Sequence, residues 1–154
     1  MVTWGEFERA DAEVAAKGRS LFYRTGHGEA VLATVRGNQS PRIHPVAVAI
    51  VNGGLFAFVL PSPKLFDLEK DGRFAMHAYP DAEVPHEFML RGRARRVDVA
   101  TREQLAADWS FDVGNASAYE FLIEEAIVGE RDDRNTWPPR YAVWPKTKRP
   151  PATR

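Results

Sequence analysis

The sequence predicts a mostly β (α+β) fold, a small antiparallel barrel with flanking helices. Three observations carry this. Residues 30–79 read as four short strands, at 30–35, 43–51, 55–60 and 74–79, each rich in apolar and β-branched residues. Gly37-Asn38-Gln39 and Asn52-Gly53-Gly54 separate the first three. Asn-Gly between apolar runs is a strong hairpin signal, because the turn needs positive φ at its centre. A cationic corner, Ser62-Pro63-Lys64, then precedes a short helical piece at 65–70. Tight-turned antiparallel strands with a positive corner at one rim suit a small barrel that holds an anionic ligand.

The remaining elements follow in order. Thr3 and Glu6 have capping-box spacing, so a helix should start there. Phe7, Ala10, Val14 and Leu21 recur near the helical period and predict one buried face, with Gly18 weakening or ending the regular part. Gly26-His27-Gly28 is a loop between helix and strand, the wrong order for a dinucleotide fingerprint, which also needs a third glycine. Residues 86–97 alternate: Phe88, Leu90, Gly92 and Ala94 share one face, Glu87, Arg91, Arg93 and Arg95 the other. That is a half-buried strand with a wet outer face. Thr101 with Gln104 opens another helix, carrying Leu105 and Trp109.

Residues 119–128 fit two periods. Tyr119, Leu122, Ile123, Ala126 and Ile127 have helical spacing, whereas Tyr119, Phe121, Ile123 and Ile127 share a strand face, and periodicity alone leaves both open. Trp137-Pro138-Pro139 stops this segment, and residues 141–144 form a short last strand. The chain is expected to be one domain over 1–147, with a Pro-rich, charged, flexible tail at 148–154.

Composition narrows the function. The 154 residues hold 21 Lys plus Arg against 21 Asp plus Glu, so the chain lacks the basic excess of a nucleic-acid binder. Arg91, Arg93, Arg95 and Arg96 therefore read as a solvated strand face. The absence of Cys removes disulfides, Cys-ligated zinc and thiol chemistry. There is no apolar run of the ~20 residues a bilayer requires. The N-terminal residues lack the basic-then-apolar order of a signal peptide, so a cytoplasmic location is expected. His27, His77 and His86 have neither metal-ligand spacing nor a carboxylate cluster, so no metal site is expected. No Gly-x-Ser-x-Gly and no Walker loop supports acyl or phosphoryl transfer.

Ser62, Pro63 and Lys64 form the sharpest candidate. A phosphate is held by short hydroxyl and backbone donors beside a cation, and a helix starting here adds its positive end. Arg42 and His44 lie two apart at the mouth of a strand, so they share a face and could complete a cationic rim with Lys64. The plainer readings are an ordinary turn and an exposed strand end. Pro45 inside the strand marks an edge or irregular position where backbone is free to meet a ligand.

From residue 29 to 97, a little under half of the chain, the sequence resembles the pyridoxamine 5′-phosphate oxidase-like superfamily of FMN-binding split barrels. The resemblance rests on Pro41-Arg42-Ile43-His44-Pro45-Val46, Gly54-Leu55-Phe56-Ala57-Phe58, Ser62-Pro63-Lys64 and Asp67-Leu68-Glu69-Lys70-Asp71-Gly72-Arg73. It implies an antiparallel split β-barrel, a homodimer, and FMN in clefts at the interface. Arg42, Ser62 and Lys64 would hold the phosphate. Backbone of Ile43, His44, Pro45 and Val46 would run along the flavin ring, with Phe58 and Val59 on the neighbouring strand. Trp144 would reach the partner's flavin, and residues 119–128 would be a strand. The chain departs from true pyridoxamine phosphate oxidases in having Pro63 where they carry Arg and Ala47 where they carry Lys, and in lacking their C-terminal Arg-Leu-x-Pro motif. Vitamin B6 oxidation is therefore not implied. The expected function is a flavin-dependent oxidoreductase acting on a small molecule. An F420-dependent reductase and a non-catalytic flavin or haem carrier are the alternatives. No catalytic residue is assigned; His44 is the best-placed group.

Overall fold

The structure is a computed structural model and describes residues 1–81, 83 and 85–146; the expected tail at 148–154 lies outside these. The chain starts with α1 (Trp4–Ala10) and α2 (Ala12–Phe22). The capping box at Thr3 and Glu6 is present. The break falls at Asp11, which ends α1 and accepts the Val14 N–H at the start of α2.

Of the two expectations for Gly18, weakening or ending the helix, the second does not hold; α2 continues to Phe22. Its role is packing. A Cβ at Gly18 would stand 2.3 Å from the Phe88 ring. That ring is fully buried and held edge-on by Phe22 at 5.0 Å and Trp4 at 6.3 Å. Gly18→Ala would gain ~1 kcal/mol of helix propensity. The overpacking costs ~1–3 kcal/mol because the ring has nowhere to go. A lowered melting temperature is the expected net result, and an unchanged or raised one would show that the ring can retreat.

Eight strands follow: β1 (Glu29–Val35), β2 (Pro41–Ala47), β3 (Ala49–Val51), β4 (Gly54–Val59), β5 (Arg73–Ala78), β6 (Glu87–Arg96), β7 (Ser117–Glu130) and β8 (Arg140–Trp144). They are antiparallel in the order β2-β1-β5-β6-β7-β4-β3, with β8 added along β7. The two ends of this path, β2 and β3, are consecutive in the chain and joined by Val48 alone. The strand expected at 43–51 is thus one bent ribbon whose first half pairs β1 and whose second half pairs β4. The sheet curls back to itself through this bend. Val48 N–H donates to the Gly28 carbonyl at 2.8 Å and pins it.

Residues 119–128 belong to β7, which settles the open alternative as strand. Alternation puts Leu32, Val59, Met76, Leu90, Phe121 and Ile123 in one core. Helix α3 (Pro63–Lys70) spans the gap between β4 and β5. Helix α4 (Val99–Ala107) starts one turn earlier than expected, because Asp98 caps it by accepting the Thr101 N–H. Among the described residues, no helix is long and apolar enough to cross a membrane.

Candidate functional site

β2 lies at one end of the strand path and pairs only with β1, so Pro45, which has no N–H, costs the ladder nothing on its open side. Alternation along β2 turns Arg42, His44 and Val46 inward and leaves Ile43 and Pro45 exposed. α3 brings Lys64 to the same rim. The effect appears on His44. Burial first, then the positive charges of Lys64 and Arg42, hold its imidazole below the ordinary value, with Asp67 opposing. Its Nε2 is enclosed and has no hydrogen-bond partner. Burial and two neighbouring cations thus both favour the neutral form of His44.

Sequence reasoning missed the anion that organises this rim. Asp67 is 7% exposed, and its Oδ2 accepts from Arg42 Nε at 2.9 Å and Thr34 Oγ1 at 2.9 Å. Thr34 and Arg42 face each other across the β1–β2 ladder, so one carboxylate oxygen ties α3 to both strands. The available signal was a carboxylate between Phe66 and Leu68 on a helix whose Leu65 and Leu68 face the core, and a lone hydroxyl in the apolar strand 30–35. Arg42 is therefore already charge-matched. Lys64 is the cation of the rim that has no ion-pair partner among the described residues.

The Ser62-Pro63-Lys64 corner is the start of α3. Ser62 occupies the N-cap but its hydroxyl donates to the Leu60 carbonyl at 2.8 Å instead of capping the helix. Leu65 and Phe66 N–H groups both point at the Ser62 carbonyl, and Pro63 has no N–H. The positive helix end thus offers the Lys64 N–H and its ammonium more than the Ser62 hydroxyl.

The other residues expected at the cofactor make the following contacts within the chain. The Val59 side chain is fully buried in the core, leaving only its backbone to meet a ligand. Phe58 packs edge-on against Trp109 at 4.8 Å and beneath Arg102 at 5.7 Å. Trp144 packs on Phe7 of its own chain at 5.0 Å. Pro45 and Val46 line a shallow cleft of about 200 Å³ with Glu29 and Tyr79.

Neutral His44 has a measurable consequence. Below pH 6.5 the unfolded chain takes up a proton that the folded site resists, so stability is present above 6.5 and lost as pH falls toward the lower folded value. The fall in melting temperature between about pH 7.5 and about pH 5 should be smaller in His44→Gln than in wild type. Equal falls would show that His44 titrates freely.

No family model matches the sequence, and no curated protein matches it. Solved structures do. A haem-binding protein from Mycobacterium smegmatis is 17% identical with a TM-score of 0.61, over 83% of this chain and 57% of that one, so the chain spans little more than half its length. A Clostridium acetobutylicum protein of the pyridoxinephosphate oxidase family, related to general stress protein 26 of B. subtilis, is 15% identical with a TM-score of 0.61, over 82% and 94%. An FAD-binding protein from Mesorhizobium loti is 17% identical with a TM-score of 0.56, over 72% and 89%. At such identities the likeness is one of fold alone, and together with the strand order and the bent β2–β3 ribbon it gives this chain a split-barrel fold.

Proposed function

We propose that this split barrel binds FMN and works as a flavin-dependent oxidoreductase on a small molecule. The observation that carries the reading is the Lys64 ammonium at the start of α3, which has no ion-pair partner among the described residues and whose charge is felt at half-buried His44. That donor set fits a phosphate: Lys64 supplies charge, its N–H and the helix end supply direction, and Arg42 contributes to the extent that Asp67 releases it. The exposed edge of β2, from Ile43 to Val46, then gives backbone for a flat ring to lie along. Bound flavin would supply hydride transfer at its reactive ring nitrogen. The chain's own residues bind, orient and shield it, and His44 in its neutral state can accept a proton near the ring.

One observation favours a second reading. A neutral imidazole whose Nε2 has no hydrogen-bond partner is also what an axial haem ligand offers, once the atoms that enclose that nitrogen move aside. Absorbance of the protein as purified separates the two: flavin bands support the first reading and a Soret band the second. A colourless protein that binds neither FMN nor haem nor F420 on titration would overturn both.

The site is proposed to be completed by a second copy of the chain. Large apolar side chains stand exposed beside the rim: Ile43 at 71%, Leu60 at 58% and Phe66 at 63%. Trp137 is 71% exposed as well, whereas Phe56 is buried at 8%. Light scattering should give a dimer at micromolar concentration, and a flavin-loaded monomer would remove the second copy from the site.

A further inference from the structure

Away from the cationic rim, a groove runs over β3. Its two halves, about 550 Å³ and about 600 Å³, share Ala49, Asp108 and Trp109 in their walls. Each half is of the size that small-molecule sites occupy. Its walls are aromatic. Trp109 is held edge-on by Phe58 at 4.8 Å and by Phe111 at 6.2 Å, and Phe111 is 53% exposed. Phe56 and Leu105 close one half, and Tyr23 stands in the other with its hydroxyl fixed by the Ile50 N–H at 2.9 Å.

The charge of the groove is one-sided. The chain has 21 Lys plus Arg, yet none lines either half. Two carboxylates do. Glu29 is oriented by the Thr25 hydroxyl at 2.8 Å. Asp108 lines both halves, is the C-cap of α4, and has no ion pair or side-chain hydrogen bond among the described residues. The last carbonyls of α4 add the negative end of the helix to the same place. Aromatic faces attract a cation as carboxylates do. Besides His27 in one half, no basic side chain in the lining offsets the two carboxylates.

We propose that this groove is a binding site for an amphipathic organic cation, an apolar or aromatic body carrying one ammonium group. The ammonium would sit at Asp108, within reach of the Trp109 ring, and the body would lie along the aromatic wall. The site lies on the strand ribbon that continues from β2 and shares Glu29 with the cleft beside Pro45 and Val46, but its Asp108 and Trp109 belong to neither that cleft nor the Lys64 rim.

Three probes of one size and different charge test this on the full-length chain without added cofactor: phenethylamine, phenethyl alcohol and phenylacetate, titrated by ligand-observed NMR. The amine should bind about 3- to 10-fold more tightly than the alcohol and the carboxylate least, a lead that shrinks as salt rises. Asp108→Asn should weaken the amine about 3- to 5-fold and leave the alcohol unchanged. Asp108 is exposed, so folding should be unaffected, and a thermal melt checks this. Phe111→Ala should weaken amine and alcohol alike. Equal binding of all three probes, binding of none at millimolar concentration, or an amine unaffected by Asp108→Asn would each overturn the proposal.

Discussion

Lys64→Ala is expected to raise the dissociation constant for FMN roughly 10- to 150-fold and to leave the melting temperature of the cofactor-free protein unchanged. A hydrogen bond to a charged group contributes roughly 1.5–3 kcal/mol, and about 1.4 kcal/mol is tenfold in affinity. No partner in the fold loses a contact, because Lys64 makes no ion pair among the described residues. Arg42→Ala should behave differently. It strands the buried Asp67 carboxylate with only the Thr34 hydroxyl, so it should lower the melting temperature as well as the affinity. Asp67→Asn should act with the opposite sign on binding. The amide oxygen can still accept from Thr34, while Arg42 loses its counter-charge and turns to the phosphate, tightening FMN a few-fold. Ser62→Ala should cost little, since the hydroxyl is engaged with the Leu60 carbonyl. Riboflavin lacks the phosphate and should be nearly indifferent to all four changes. Fluorescence titration measures the set. Undiminished FMN binding by Lys64→Ala would reduce the corner to an ordinary turn.

The rim was half legible in the sequence. Arg42 and His44 at spacing two, and Lys64 after a Ser-Pro corner, could be read because each follows a local rule. Asp67 could not be weighed, because its importance comes from a contact across 33 residues with Thr34 and 25 with Arg42. The same limit hid the fate of Phe58 and Trp144, whose partners, Trp109 and Phe7, lie on other elements. Along the chain, strands with clean alternation and tight turns were read nearly to their ends. β7 was not, and the reason is specific. Its inward residues run Tyr119, Phe121, Ile123, then Ala126 and Val128, all buried. The step from Ile123 to Ala126 is three, a helical interval inside a strand. The register shows why: Arg91 pairs Glu125 while Gly92 pairs Ile123, so Glu124 is an extra residue, a β-bulge.

Gly92→Ala tests that bulge and should be among the most damaging single-methyl changes in the chain. A Cβ at Gly92 would lie 1.9 Å from the Leu122 carbonyl oxygen and 3.1 Å from the Glu124 N–H nitrogen. Both are backbone atoms of the longest strand, so no rotamer change can relieve them. Overpacking of an ordinary core costs ~1–3 kcal/mol, and a clash with backbone belongs at or above the top of that range. For a chain of this length, ~3 kcal/mol corresponds to a fall of about 6–12 °C in Tm. Gly37→Ala is the control. Its Cβ would meet only the mobile end of Lys70, 3.0 Å away, and should change stability by no more than ~0.5 kcal/mol. Deleting Glu124 supplies the decisive comparison. It makes the alternation of β7 continuous and lets Arg91 and Gly92 face consecutive partners, so β7 no longer crowds position 92. The methyl at 92 should then cost less than it does in the wild-type background, a non-additivity that neighbours sharing one backbone distortion must show. Equal penalties in the two backgrounds would mean that the glycine answers to something other than the bulge.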